Sequence, residues 1–79
     1  MRFREHRGML DESMATTIEV ADRAALVEII RARLAVNDFF VTDDMVQSKP
    51  YGHDKRIGWD QHLVTVTGYG VVGMTDAPP

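Results

Sequence analysis

The stretch Asp22-Arg-Ala-Ala-Leu26-Val-Glu-Ile-Ile30-Arg-Ala-Arg-Leu34 decides the fold. Ala, Leu, Glu and Arg are strong helix formers, and Asp22 stands where an N-cap carboxylate accepts from the first free backbone amides. At 100° per residue, Leu26, Val27, Ile29, Ile30 and Leu34 share a stripe of about 160°, with Glu28, Arg31 and Ala32 turned away. This predicts one amphipathic helix that needs an apolar surface to lie on. Arg33 falls inside the stripe near its end, so its stem is expected to cover apolar surface while its charge meets the helix C-terminus. Asn37 is the expected left-handed stop.

Strands flank the helix on both sides. Met1 to His6 reads as a short strand, assigned to a sheet edge by its arginines, and a loop around Gly8 carries Asp11, Glu12 and Ser13. Met14 to Val20 alternates, with Met14, Thr16, Ile18 and Val20 on one face and Ala15, Thr17 and Glu19 on the other, so it should pair with the first strand as a hairpin. After the helix, Phe39 to Thr42 is a short apolar run, Asp43-Asp44 a turn, and Met45 to Lys49 a strand ended by Pro50. Trp59 to Thr67 reads as the next strand, and Thr67-Gly68-Tyr69-Gly70 turns it into a last one, Val71 to Thr75. The tail Ala77-Pro78-Pro79 is expected to fray. The order is ββαβββ, a single α+β domain over residues 1–79 with one helix across antiparallel strands; one sheet and two layers are both compatible with it.

A chain of 79 residues buries about 63% of its surface on folding, enough for one thin core. A pocket of several hundred Å³ would then have to be a surface groove or lie between subunits. The absence of cysteine removes disulfides, thiolate nucleophiles and Cys-ligated zinc together. No apolar run follows the basic start, and no apolar segment reaches 18 residues, which predicts a soluble, cytoplasmic protein without membrane contact. The net charge of -3 is small, and of the wrong sign for a general nucleic-acid binder.

Chemistry-bearing residues concentrate in Tyr51-Gly-His53-Asp54-Lys55-Arg56-Ile-Gly-Trp59-Asp60-Gln-His62. His53, Asp54, Asp60 and His62 are the nitrogen and oxygen donors a zinc or manganese ion would need, and Asp60 and His62 should share one strand face. His62 with Asp60, or His53 with Asp54, could also form an acid/base pair, but no activated nucleophile or H-E-x-x-H pattern accompanies them. Gly68-Tyr-Gly70-Val-Val-Gly73 spells G-x-G-x-x-G, yet only six residues follow, too few for the helix a dinucleotide site requires. These glycines are expected in a hairpin, and no cofactor is implied. A non-enzymatic role follows as the expectation.

Tyr51, His53, Lys55, Arg56, Trp59 and His62 make the leading binding surface, since aromatic and cationic side chains anchor interfaces. The same cations with Arg2, Arg4 and Arg7 form the nucleic-acid alternative, in which Tyr51 and Trp59 would stack on bases. The plainer expectation for Trp59 is packing on the helix. Phe39 and Phe40 cannot both point inward, and Met9-Leu10 sits in a loop, so exposed apolar surface and a homodimer are expected.

Arg4-Glu-His-Arg-Gly8, Leu10-Asp-Glu-Ser-Met-Ala-Thr16, Pro50-Tyr-Gly-His-Asp-Lys-Arg-Ile-Gly-Trp-Asp60 and Gly70-Val-Val-Gly-Met-Thr-Asp76 together resemble small uncharacterised proteins encoded by bacteriophages and prophages of proteobacteria. The 51–60 block is the most specific part, and the likeness spans nearly the whole chain. It implies no activity, cofactor or catalytic residue. It does imply a compact accessory protein that binds a host protein, with inhibitors of host defence such as anti-CRISPR proteins as the class of comparable size.

Overall fold

The computed structural model describes residues 1–6, 16–56 and 58–79. Arg7, the Gly8 loop with Met9 to Ser13, the strand positions Met14 and Ala15, Ile57 and the side chain of Asp54 lie outside the described residues. The Asp22 carboxylate accepts from the Ala25 amide at 2.9 Å, and from this cap α1 runs over Arg23–Ala35. Leu26, Val27, Ile30 and Leu34 are buried, so the stripe read from spacing is the face that packs. The amides of Asn37 and Phe39 both donate to the Leu34 carbonyl, and the left-handed residue is Asp38, with φ 58°, rather than Asn37. Both residue types tolerate that conformation through local side-chain hydrogen bonding, which is why the stop is easy to misplace by one position.

The strands β1 (Arg2–Glu5), β2 (Thr16–Glu19), β3 (Val46–Asp54), β4 (Trp59–Val66) and β5 (Gly70–Thr75) form one antiparallel sheet in the order β2-β1-β5-β4-β3. The α+β class and the ββαβββ order hold, and the five strands share a single sheet. The chain leaves the β2 edge into α1 and re-enters the sheet at the opposite edge as β3, so α1 together with residues 36–45 connects the two edges. No helix among the described residues is long and apolar enough to cross a membrane.

β1 lies inside the sheet between β2 and β5, which corrects its assignment to an edge. Phe3 and Glu5 are buried while Arg2 and Arg4 alternate with them onto the opposite face. Arginines at every second position mark the uncovered face of an antiparallel strand as readily as they mark an edge. Phe3 packs with Val64, Val66, Val72 and the buried helix residues in the core. A Cβ on Gly73 would run into the Arg4 carbonyl and the Phe3 ring, so the third glycine of the G-x-G-x-x-G string serves close packing. Gly68 (φ 81°) and Gly70 (φ 122°) build the β4–β5 turn.

Residues 39–42 form no strand; they lead into a 3-10 turn, Asp43–Met45, with Val41 fully buried. Pro50 does not end β3, which continues to Asp54, because β3 is an edge strand with a register shift between Pro50 and Gly52. An edge strand loses no ladder bond when the missing amide faces outward. The helix arginines fasten the crossing connection. Arg23 Nη2 donates to the carbonyls of Asp43 and Val46, each at 2.9 Å, and Arg31 Nε donates to the Val41 carbonyl at 3.1 Å. Arg33 Nε donates to Glu5 Oε1 at 2.7 Å, so its charge meets β1 rather than the helix terminus.

Candidate functional site

The β3–β4 hairpin carries most of the binding residues read from sequence. Tyr51, His53, Lys55 and Arg56 are exposed there. Before the bulge Pro50 faces His62; after it, His53 faces Asp60 instead of Trp59, because one extra residue has entered β3. His53 Nδ1 consequently lies 3.0 Å from Asp60 Oδ1. Neither acid/base pair suggested by sequence neighbours forms this contact, and the pairing could not be read without the register shift. The side chains are 51% and 75% exposed, so solvent weakens any charge interaction between them.

Trp59 and His62 stand apart from that exposed set. Trp59 is 7% exposed, and its odd spacing from the core residues Val64 and Val66 places it on the sheet face away from α1. Packing of Trp59 on the helix is therefore corrected: its cover is Arg2, whose guanidinium lies 4.8 Å from the ring centroid. Arg2 is held in turn by Asp76, with its backbone amide donating to Oδ1 at 2.7 Å and Nε to Oδ2 at 2.9 Å. Partial burial pushes the Asp76 carboxyl upward, but the Arg2 hydrogen bonds and charge outweigh it and hold Asp76 below its ordinary value. A covered tryptophan offers no face for stacking. His62 is half-buried, with Nδ1 buried and unpartnered. Among the described residues no three His, Asp or Glu side chains converge as a metal would require.

A different site lies at the other end of β4. Between the C-terminal part of α1 and the start of β5 is a groove of about 600 Å³, bounded by Phe3, Glu5, His6, Leu34, Tyr69 and Val72 among others. It meets the size requirement as an open surface groove, the form a thin core permits. Glu5 is a buried residue in its wall, paired with Arg33, and the His6 Nδ1 atom is buried without a partner. Tyr69, in the groove wall, is 48% exposed, and in the residues just after α1 Val36 is 83% exposed and Phe40 76%. Phe39 turns inward and meets Tyr69 edge-on at 5.4 Å, so the two adjacent phenylalanines divide between contact and solvent.

This groove unites residues 3–6, 30–37 and 69–72, which no local pattern connects. The alternation of β1 does mark Glu5 as facing the same way as Phe3, and that was its one legible signal. Compared with protein-family models, curated proteins and solved structures, the chain matches none.

Proposed function

We propose that the protein acts without catalysing a reaction, by non-covalent binding of a protein partner through the end of the sheet where α1 terminates. One observation carries this reading. Of the five large apolar or aromatic side chains most exposed among the described residues, Val36, Phe40, Tyr69 and Val71 belong to this end and only Tyr51 to the other. Exposed apolar groups gathered at one end of a domain are the usual core of an interface. The resemblance to phage-encoded proteins supports a host protein as partner, with inhibition of a defence system as its role. The hairpin residues Tyr51, His53, Lys55 and Arg56 supply a second, polar contact surface. The nucleic-acid reading is less well supported, since Arg2 is committed to Asp76 and Trp59 is covered.

The test is a quantitative capture from bacterial lysate with wild type, Phe40→Ser, and the Lys55→Ala/Arg56→Ala double variant as baits. A stoichiometric partner retained by wild type and lost by Phe40→Ser, at unchanged melting temperature, supports the reading. Equal retention by both sinks it. Ultracentrifugation of the same samples identifies a second copy as the partner if wild type has twice the 8.9 kDa of one chain and Phe40→Ser does not.

A further inference from the structure

We propose that the outer edge of β2 pairs antiparallel with β2 of a second copy of this chain, across a two-fold axis at Ile18. This edge is separate from the protein contact proposed above and does not depend on it. Met1 and Val20 exchange both backbone hydrogen bonds: the Met1 nitrogen donates to the Val20 carbonyl at 2.8 Å and the Val20 amide to the Met1 carbonyl at 2.7 Å. In an antiparallel ladder such pairs recur at every second residue, so Ile18 also directs its amide and carbonyl to β1, while Thr17 and Glu19 direct theirs outward. β2 ends the sheet, and among the described residues no strand lies beyond it. Thr17 and Glu19 are exposed.

The opposite edge is closed by its own residues. On β3 the Val46 amide donates to the Asp43 carbonyl, the Val46 carbonyl accepts from Arg23, Pro50 has no amide, and the bulge that follows breaks the line. β2 reads Thr16-Thr-Ile-Glu19, with no proline, glycine, lysine or bulge, and Thr and Ile favour strand pairing. Symmetry then selects a second copy as the occupant. With the axis at Ile18, Thr17 exchanges both hydrogen bonds with Glu19 of the second copy, and Glu19 does the same with Thr17 of the second copy. Each carboxylate faces a threonine, whereas an axis at Glu19 would set two carboxylates directly opposite each other. The two Ile18 side chains meet on the α1 face. Ile18 is half-buried against the core, so this contact covers the part still open to solvent.

Sedimentation equilibrium of the full chain tests this. A strand of four residues pairs weakly, so the mass should rise from 8.9 kDa toward twice that value as the concentration is raised to about 1 mM. Thr17→Pro removes an outward amide without costing a bond to β1, as Pro50 does on β3, and should stay at 8.9 kDa with a melting temperature close to wild type. Phe40→Ser should dimerise like wild type, which separates this edge from the apolar end. The chain has no cysteine, so single replacements report the register. Ile18→Cys, at a non-hydrogen-bonded pair with Cα atoms about 4.5 Å apart, should form a disulfide-linked dimer on oxidation, whereas Thr17→Cys and Tyr51→Cys should not. A mass of 8.9 kDa at every concentration, or no disulfide-linked dimer from Ile18→Cys, overturns the proposal. So does a dimer that Phe40→Ser abolishes and Thr17→Pro leaves intact. Should Thr17→Pro fail to fold, the crosslinking decides alone.

Discussion

At the Trp59 end of β4 the large aromatic is covered, whereas at the Val66 end large apolar and aromatic side chains stand in solvent. Near Trp59, Arg2 pairs with Asp76 and covers the indole, and His53 meets Asp60 across the bulge. Near Val66, Val36 and Phe40 face solvent, although the buried Glu5 carboxylate has Arg33 as its partner. A dense run of reactive residue types, such as 51–62, can pair some of them internally, as His53 does with Asp60, while His62 Nδ1 stays buried without a partner. Exposed apolar surface gathered at one end leaves contacts unmade, and those point to a partner.

The comparison can be broken most severely at Gly73, which joins the two ends through the central strands. Gly73→Val should cost about 3 kcal/mol or more in denaturant unfolding, since its side chain would overlap the Phe3 ring and the Arg4 carbonyl. An unchanged midpoint would mean that Phe3 does not lie across β5 and that the groove wall is different. Trp59→Ala comes next, with an expected loss of about 3 kcal/mol for a buried aromatic. A loss below about 1 kcal/mol would return Trp59 to the surface and revive base stacking.

The Arg2–Asp76 contact sharpens the comparison through pH. Because the folded state holds the Asp76 carboxyl below its ordinary value, its contribution to stability is present above the unfolded value of about 3.9 and is lost as pH falls through the lower folded value. Asp76→Asn should therefore be less stable at neutral pH and show a flatter acid limb below about pH 4 in urea titrations. An acid limb identical to wild type would remove Arg2–Asp76 from the account. Smallest of all, Lys55→Ala with Arg56→Ala, and separately Phe40→Ser, should change unfolding free energy by less than about 0.5 kcal/mol, since all three residues are exposed. If the double variant loses more than about 1 kcal/mol, the hairpin is structural rather than a contact surface.

Much of the fold was legible because its signals are local. The Asp22 cap, the stripe from Leu26 to Leu34, the β1–β2 hairpin and the glycine turn after β4 each depend on residues a few positions apart. Pro50 misled because a local rule for strand endings takes no account of edge placement or of a bulge. Arg2 and Arg4 misled for a related reason: charge at alternate positions shows that one face is polar, not where the strand lies in the sheet. Phe40 was half legible, since two adjacent phenylalanines could not both turn inward, although nothing local chose between them.

By itself the sequence determined the element types, their order and the helix face that packs, because helix and strand periodicity and capping act between neighbours in the chain. Only the tertiary structure decided that β1 pairs with β5, that Trp59 lies beneath Arg2, that His53 meets Asp60, and that Glu5 and His6 join the end of α1 in one groove. Those outcomes depend on strand order and register over separations of up to 74 residues, as between Arg2 and Asp76. Nothing in local periodicity specifies such pairings; they follow from which arrangement covers the apolar stripe of α1 with one sheet.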